Sequence, residues 1–382
     1  MKKVMFFAAN NHQRKYFSAI VASCAGFDGY VVDKKLLPLL VRPFWPSKKI
    51  RNSLLGAVSY RLKEKKQEKI NQRYFLLNKY LDFVIFLLQT YYFLIRCSVF
   101  LKGKEVDALV VWNGNKWRQI IVLGLLSDVK HKLYFENGVF PNTTTFDDSG
   151  VNYKNSIPRN LDFYQRNNAC SDDQSQIFLE KRALNKSKRN GKSNAIDLPN
   201  KYVFVPFQVD YDSQVINHSP WLNNMLELYQ VLSDIQGELG NDYYFVVKEH
   251  PSSKVDYSHL HELNPNIVFA NEVDTQQLIE NAISIVTINS SVGFESILLS
   301  KNVIVVGDAF YGIDGLVSFA KCKEELKKQI FSVYSGLIVR DNDVRLVFIN
   351  YVKSQSITGS WSEPTSSHFE CVERRILNVI CS

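Results

Sequence analysis

Four short polar segments carry the residue types that could do chemistry, and each follows directly on a short apolar run. Tyr134-Phe135 leads into Glu136-Asn137-Gly138, and Val203 to Phe207 leads into Gln208-Val209-Asp210-Tyr211-Asp212-Ser213-Gln214. Phe245 to Val247 leads into Lys248-Glu249-His250-Pro251, and Ile285 to Ile288 into Asn289-Ser290-Ser291-Val292-Gly293-Phe294-Glu295. Glu136 and Asp212 are carboxylates of the kind that glycosyl chemistry uses in pairs, one to attack or stabilise an anomeric carbon and one to move a proton. Each also has a plainer reading as a capping or turn residue. Asp210-Tyr211-Asp212 fits a DxD pattern in which two carboxylates hold a divalent cation against a diphosphate, but a three-residue match carries little information.

The segment from Asn289 has a physical use of its own. A strand, then small polar residues and Gly293, then the helical run from Phe294, presents backbone N–H groups at a helix N-terminus, where an anion can bind. An ordinary N-cap made by Ser290 or Ser291 is the competing reading. Lys248 and His250, at alternate positions, would add two cations to the same crevice if the two strands are neighbours, with Pro251 ending the strand. Two further strand ends are polar: Asn113-Gly114-Asn115 after LVVW, and Asn10-Asn11-His12-Gln13 after the first apolar run. Either could line a cleft, and either could be a turn.

These segments gain meaning from the elements that must position them. Short continuous apolar runs at Val4 to Ala9, Ala108 to Trp112, Lys132 to Glu136, Tyr202 to Phe207, Tyr243 to Lys248, Ile283 to Ile288 and Val303 to Val306 alternate with longer amphipathic stretches. Such runs suit parallel strands buried on both faces, which makes this an α/β protein. In an open α/β sheet, ligands bind outside the carboxyl ends of the strands, where all the polar segments above fall. Between Glu180 and Leu198 the chain loses apolar periodicity and gains Lys, Asn, Ser and Gly, as an exposed interdomain segment does. Three divisions follow: residues 1–195, residues 196–330, and a helical segment 331–382 expected to pack back toward the first.

Composition sets the outer bounds. The 382 residues are 46% hydrophobic and 22% charged, which excludes disorder as the main state. The net charge of +8 favours anionic partners without naming one. Six widely spaced cysteines form no metal-binding pair and suit a reducing, cytoplasmic compartment. The N-terminal apolar run is too short for a signal peptide and reads as a first strand. Phe83 to Ile95, 13 residues between Asp82 and Arg96, is shorter than a bilayer span and reads as a buried helix. Upstream, Lys48 to Arg73 carries nine Lys or Arg and two Glu, with Leu54, Leu55, Val58 and Leu62 on one helical face. That basic stretch is either a solvated face or a surface for anionic lipid.

The strings FENGVFPNTTTFDDSGVN (135–152), FVPFQVDYDSQV (204–215), VKEHP (247–251) and NSSVGFESILLSKNVIVVGDAFYG (289–312), in this order, resemble the bacterial capsule polysaccharide biosynthesis family. Its characterised members are retaining β-Kdo transferases of capsule and O-antigen assembly. The resemblance implies a GT-B-like fold, two Rossmann-type domains facing a cleft, with an N-terminal acceptor-binding domain and a C-terminal domain that binds CMP-Kdo. Carried over, Asp212 would be the nucleophile and Glu136 the acid/base. Gln208, Ser213, Lys248, His250, Pro251, Asn289, Ser290, Ser291 and Glu295 would bind the donor, and Asn11, His12, Asn113, Asn137 and Gly138 the acceptor. The acceptor would be a saccharide, nascent or lipid-linked, in lipopolysaccharide or capsule synthesis at the inner membrane. No metal, other cofactor or nucleic acid is implied. Two other readings stand beside this one: a GT-B transferase using a UDP-sugar or CDP-polyol, and a non-catalytic polysaccharide-assembly protein.

Overall fold

The computed structural model describes residues 1–39, 41–68, 79–166, 197–337 and 342–382. From the N-terminus the elements are β1 (Lys3–Ala8), α1 (Asn11–Ser23), β2 (Asp28–Asp33), α2 (Lys48–Glu68), α3 (Lys79–Leu101), β3 (Ala108–Trp112), α4 (Trp117–Leu125), β4 (His131–Asn137) and β5 (Thr143–Asp147). The chain continues through α5 (Leu161–Arg166), β6 (Val203–Pro206), α6 (Ser213–His218), α7 (Met225–Leu239), β7 (Phe245–Lys248), β8 (Ile267–Phe269), α8 (Thr275–Asn281), β9 (Ser284–Thr287), α9 (Ser291–Leu298), β10 (Asn302–Val305), β11 (Ser318–Phe319) and α10 (Lys323–Tyr334). It ends with α11 (Asn342–Gln355), β12 (Ile357–Thr358) and α12 (Ser366–Ile380).

Two compact units result. The first gathers Met1–Lys66, Arg73–Ser156 and Val352–Ser382, and the second Gln67–Gln72 with Ile157–Tyr351. The boundary expected near residue 195, like most of the Glu180 to Leu198 segment, falls outside the described residues. Among those described, the change of unit comes at Ile157, and residues 331–351 go with the second unit while 352–382 go with the first.

The first unit holds a six-stranded sheet in the order β12-β5-β4-β3-β1-β2. β1 to β4 are mutually parallel, β5 runs antiparallel to β4, and the edge strand β12 antiparallel to β5. Side chains alternate across the sheet. Val4, Phe6 and Ala8 face α1 and α12, packing with Phe17, Ile20, Val372 and Ile376, while Met5 and Phe7 face α2, α3 and α4 with Ala57, Leu94 and Ile121. Both faces are covered, which is why β1 and β3 are apolar at nearly every position.

The second unit is parallel throughout, in the order β11-β10-β9-β6-β7-β8. Numbered along the chain, this is the 3-2-1-4-5-6 order of the Rossmann fold, read from the β8 edge, with its switch point between β6 and β9. Val203, Val205, Val247 and Val286 face α7 and α10, and Phe204, Val246 and Ile285 face α8 and α9. In the first unit, β1 feeds β2 on one side and β3 lies on the other, so its switch point is between β1 and β3.

Two expectations about the α2 and α3 region need correction. The apolar run Phe83 to Ile95 belongs to a 23-residue helix whose outer side, including Leu81, Val84, Ile85, Leu88 and Tyr92, is exposed. Apolar composition there does not mean burial. On α2, Leu54, Ala57 and Val58 are buried but Leu55 is exposed, so the buried face is narrower than the spacing suggested. Residues 69–73 of the basic stretch lie outside the described residues.

The C-terminal return is fixed by a polar contact inside the apolar core. His368 on α12 is buried, its Nδ1 2.8 Å from the Thr358 carbonyl and its Nε2 2.8 Å from the Tyr16 hydroxyl. The carbonyl can only accept, so Nδ1 carries the proton and Nε2 accepts from Tyr16. Burial pulls the His368 pKa below its ordinary value of 6.5. The unfolded chain therefore takes up the proton more readily, so this contribution to stability is present above about pH 6.5 and lost as pH falls through it. Relative to His368→Gln, the wild type should lose urea-unfolding midpoint on going from about pH 7.5 to 5.5; an unchanged difference between the two would contradict the assigned neutral, buried state.

Candidate functional site

In the second unit, the loop after β6 forms the floor of the switch-point crevice. Gln208 and Asn289 follow β6 and β9, the neighbours on either side of that point, and their side chains meet there. Gln208 Nε2 donates to Asn289 Oδ1 at 2.9 Å, and the Asn289 backbone N–H donates back to Gln208 Oε1 at 3.1 Å. Asn289 Nδ2 donates to the carbonyls of Gln214 and His218, each at 3.1 Å, which ties α6 to the same point. Both side chains are buried. Through these bonds their amide groups hold the crevice together.

Asp210 is fully buried, accepting from the Met225 backbone N–H at 2.7 Å and from the Tyr257 hydroxyl. Burial pushes its carboxyl up to about 6, against the lowering effect of the two hydrogen bonds. It anchors the start of α7 and is not placed to share a cation with Asp212, so the DxD reading fails on geometry. Asp212 is exposed and caps α6, its Oδ1 accepting from the Gln214 N–H at 2.8 Å. Ser213, the next residue, is buried.

On one side of this floor lies the N-terminus of α9. Ser290 is its N-cap, accepting from the Val292 N–H, and the Gly293 N–H donates to the Ser290 carbonyl at 3.0 Å. Two of the N–H groups expected to serve an anion are thus used within the turn, while Ser291 is exposed at the first helical position and Glu295 sits half-buried one turn on. The buried Tyr311 clamps the turn from behind by donating to the Ser290 carbonyl at 2.6 Å. A Cβ at Gly293 would lie 2.2 Å from the Tyr311 hydroxyl oxygen and 3.0 Å from a Thr287 methyl, so only glycine fits.

On the other side lies Lys248-Glu249-His250-Pro251. β7 and β9 are not neighbours: β6 lies between them, so their tips are about 9.5 Å apart, two strand spacings. β7 also ends at Lys248, so Lys248 and His250 do not share a strand face. Lys248 Nζ donates to the Val273 carbonyl, and burial pulls its pKa below the usual lysine value, opposed by Asp274 and Glu272. His250 is exposed in the turn before Pro251, its Nδ1 accepting from the Ser252 N–H at 3.1 Å. Between them, Glu249 pairs with His261 at 2.8 Å and accepts from Asn271 at 3.1 Å. A search of the sequence for cations passes over Glu249, and its partners lie 12 and 22 residues away.

In the first unit Asn113 and Asn137 converge on Glu136. Asn113, with a left-handed φ of 63°, turns the chain after β3 and aims its amide at Glu136, donating to Oε2 at 2.5 Å. Glu136 Oε1 accepts from Trp112 Nε1 at 3.2 Å and from the Asn137 N–H at 2.9 Å. Asn137 Oδ1 in turn accepts from Trp361 Nε1 at 2.6 Å, and the Trp361 ring lies edge-on to Trp112 with centroids 4.9 Å apart. Trp361 carries no local signal, standing 224 residues beyond Asn137. Gly138 follows at the hairpin to β5, where a Cβ would lie 2.3 Å from the Thr143 carbonyl oxygen. Asn11 and His12 are exposed in the first turn of α1, after β1, on the other side of this unit's switch point.

Two Rossmann-type units, each with polar residues at the carboxyl edge of its switch point, define a chain of the GT-B-like class. Residues 178–331 match the model of the family described as capsule polysaccharide biosynthesis protein. It is 34% identical over 260 residues to Protein FixF of Sinorhizobium fredii, covering 68% of this chain and 62% of that one. It is 24% identical to the capsule polysaccharide export protein KpsS of Escherichia coli, over 40% of this chain and 43% of that one. The matched stretches thus span less than two thirds of these relatives. Among solved structures it is similar to the Thermosulfurimonas dismutans KpsC beta Kdo 2,7 transferase, at 14% identity and a TM-score of 0.46, covering 99% of this chain and 100% of that one.

Two substitutions test the scaffold. Gln208→Met removes the partner of a buried amide and should destabilise the protein by about 1 to 3 kcal/mol, since Asn289 loses both its acceptor and its donor there; a loss confined to ligand binding, with unfolding unchanged, would argue instead for a ligand contact. Gly293→Ala should cost about 1 to 3 kcal/mol by overpacking, and Tyr311→Phe in the same chain should recover part of it in denaturant unfolding.

Proposed function

We propose that this protein transfers Kdo from CMP-Kdo to a saccharide acceptor during assembly of a bacterial surface polysaccharide, with retention at the anomeric carbon. The observation that carries the reading is the Rossmann strand order of the second unit, which brings Asp212, the start of α9 and the Lys248 to Pro251 turn to one sheet edge. The four motifs and the family match support the choice of donor. Asp212 attacks the anomeric carbon, the bond to the phosphate oxygen breaks and CMP leaves with the electron pair. The acceptor hydroxyl then displaces Asp212, giving its proton to Glu136.

In this reading Lys248, His250 and Ser291 meet the phosphate of CMP or the Kdo carboxylate, and no metal is needed because the leaving group is a monophosphate. Asn113, Asn137 and the Trp112 indole orient Glu136 toward the acceptor, with Asn11 and His12 further along the same edge. The enzyme works at the cytoplasmic face of the inner membrane on a nascent or lipid-linked glycan.

With CMP-Kdo and a panel of short saccharides, mass spectrometry should detect product for the wild type, reduced by about 100-fold or more in both Asp212→Asn and Glu136→Gln while their folds persist. A Kdo-sized adduct on the peptide containing Asp212 would support double displacement. CMP, but not UDP, should raise the thermal midpoint; protection by UDP alone would overturn the donor assignment, and full turnover by Asp212→Asn would overturn the nucleophile.

A further inference from the structure

The exposed apolar side of α3 does not stand alone. The segment from Lys34 to Arg51, KKLLPLLVRPFWPSKKIR, holds six Lys or Arg and no Asp or Glu, and it brings Leu36, Leu39 and Trp45 to the surface. Trp45 is 83% exposed and Leu39 72%. These side chains are held outward by built contacts. Arg96 of α3 donates to the carbonyls of Lys34, Leu37 and Pro38, the Tyr92 hydroxyl donates to the Leu39 carbonyl at 2.8 Å, and the Tyr91 hydroxyl to that of Phe44 at 2.5 Å. Leu81, Leu88 and Tyr92, at helical spacing, continue the same apolar stripe along α3.

From this juxtaposition we infer that α3 and the 34–51 segment form a surface on which the protein lies on an anionic phospholipid bilayer, with Trp45, Leu39 and the Leu81-Leu88-Tyr92 stripe entering the headgroup boundary. Charge complementarity selects the occupant. Lys34, Lys35, Arg42 and Lys48 are exposed around the apolar side chains, Lys49 is paired with Asp128, and the Arg51 guanidinium lies 5.7 Å from the Trp45 ring centre. An amphipathic surface with cations at its margin and an aromatic anchor matches a lipid interface.

Tyr80–Leu101 is also long and apolar enough to cross a membrane, and only 28% of its most apolar stretch is buried. Its inner side argues for lying flat instead. Phe93, Leu94 and Cys97 pack with Phe7, Leu109 and Val111 of the sheet, so a spanning helix would have to abandon the core of the first unit. This surface shares Lys48, Lys49 and Arg51 with the basic stretch considered from the sequence but differs from it in that the apolar residues of 34–51 and α3, not the α2 cations alone, make the contact. It is also independent of which donor the enzyme uses.

The test mixes the purified chain with sedimentable vesicles of phosphatidylcholine, with and without phosphatidylglycerol. Binding should require the anionic lipid and be accompanied by a blue shift of tryptophan emission that Trp45→Ser removes. Leu88→Gln with Trp45→Ser should lower partitioning by about tenfold or more, and Leu39→Gln should lower it independently, each with an unchanged thermal midpoint. Three outcomes would overturn the inference: no binding to the anionic vesicles, wild-type binding by these variants, or a concentration-dependent dimer that the same substitutions abolish.

Discussion

The buried amide pair between Gln208 and Asn289 joins β6 and β9 beyond the last rung of their backbone ladder. At a switch point the two crossover connections leave in opposite directions, which opens a crevice and removes the helix that would otherwise cover the strand ends. Something must keep the two tips from splaying. Here that work is done by one Gln–Asn pair whose side-chain oxygens and N–H groups are matched to each other and to the carbonyls of Gln214 and His218. The position of Asp212, the tilt of α6 and the start of α9 all follow from that contact, since each is one or two bonds removed from it. A polar group that looks like a ligand contact from the sequence thus acts first as the fastening of the pocket.

The first unit ties together two neighbouring strand ends, those of β3 and β4, beside its switch point rather than across it. Its carboxylate, Glu136, is the hub, and the turn after β3 bends back through a left-handed Asn113 to reach it. The indole of Trp112 and the backbone of Asn137 complete the set. One unit therefore keeps its edge closed with neutral amides and exposes its carboxylate, while the other gathers neutral donors around a carboxylate. The two carboxylates singled out from the sequence accordingly sit in contrasting settings: Asp212 exposed on a helix cap, Glu136 half-buried in a fixed cradle.

The strands buried on both faces were legible, because runs as short and as continuously apolar as VMFFA, ALVVW and VFV suit a strand covered on both sides and little else. The strands that were not legible are those for which burial is partial or pairing is brief. β2 is an edge strand with aspartates at both ends, β5 is TTTFD, and β11 and β12 are two residues each. Site positions at strand ends were legible for the same reason as the strands, but their partners were not. Lys248 and His250 were assigned to the crevice beside α9 on the assumption that β7 adjoins β9, and strand order is not written in local sequence. Apolar content misled once, at α3: a helix packed in a core and a helix laid against something outside the chain demand the same residues.

The strand order of the first unit also sets the order in which the chain can take shape as it is made. Its sheet closes with β12, its core is covered by α12, and Trp361 supplies the last hydrogen bond to Asn137, all from residues after 351. Residues 157–351, the bulk of the second unit, emerge from the ribosome as one uninterrupted block. The N-terminal strands must therefore wait, with one face of their sheet covered by α1 alone, until residues 352–382 are released, reversing the usual rule that domains fold from the N-terminus as synthesis proceeds. A chain shortened by those residues would leave the ribosome with a finished second unit and an unfinished first.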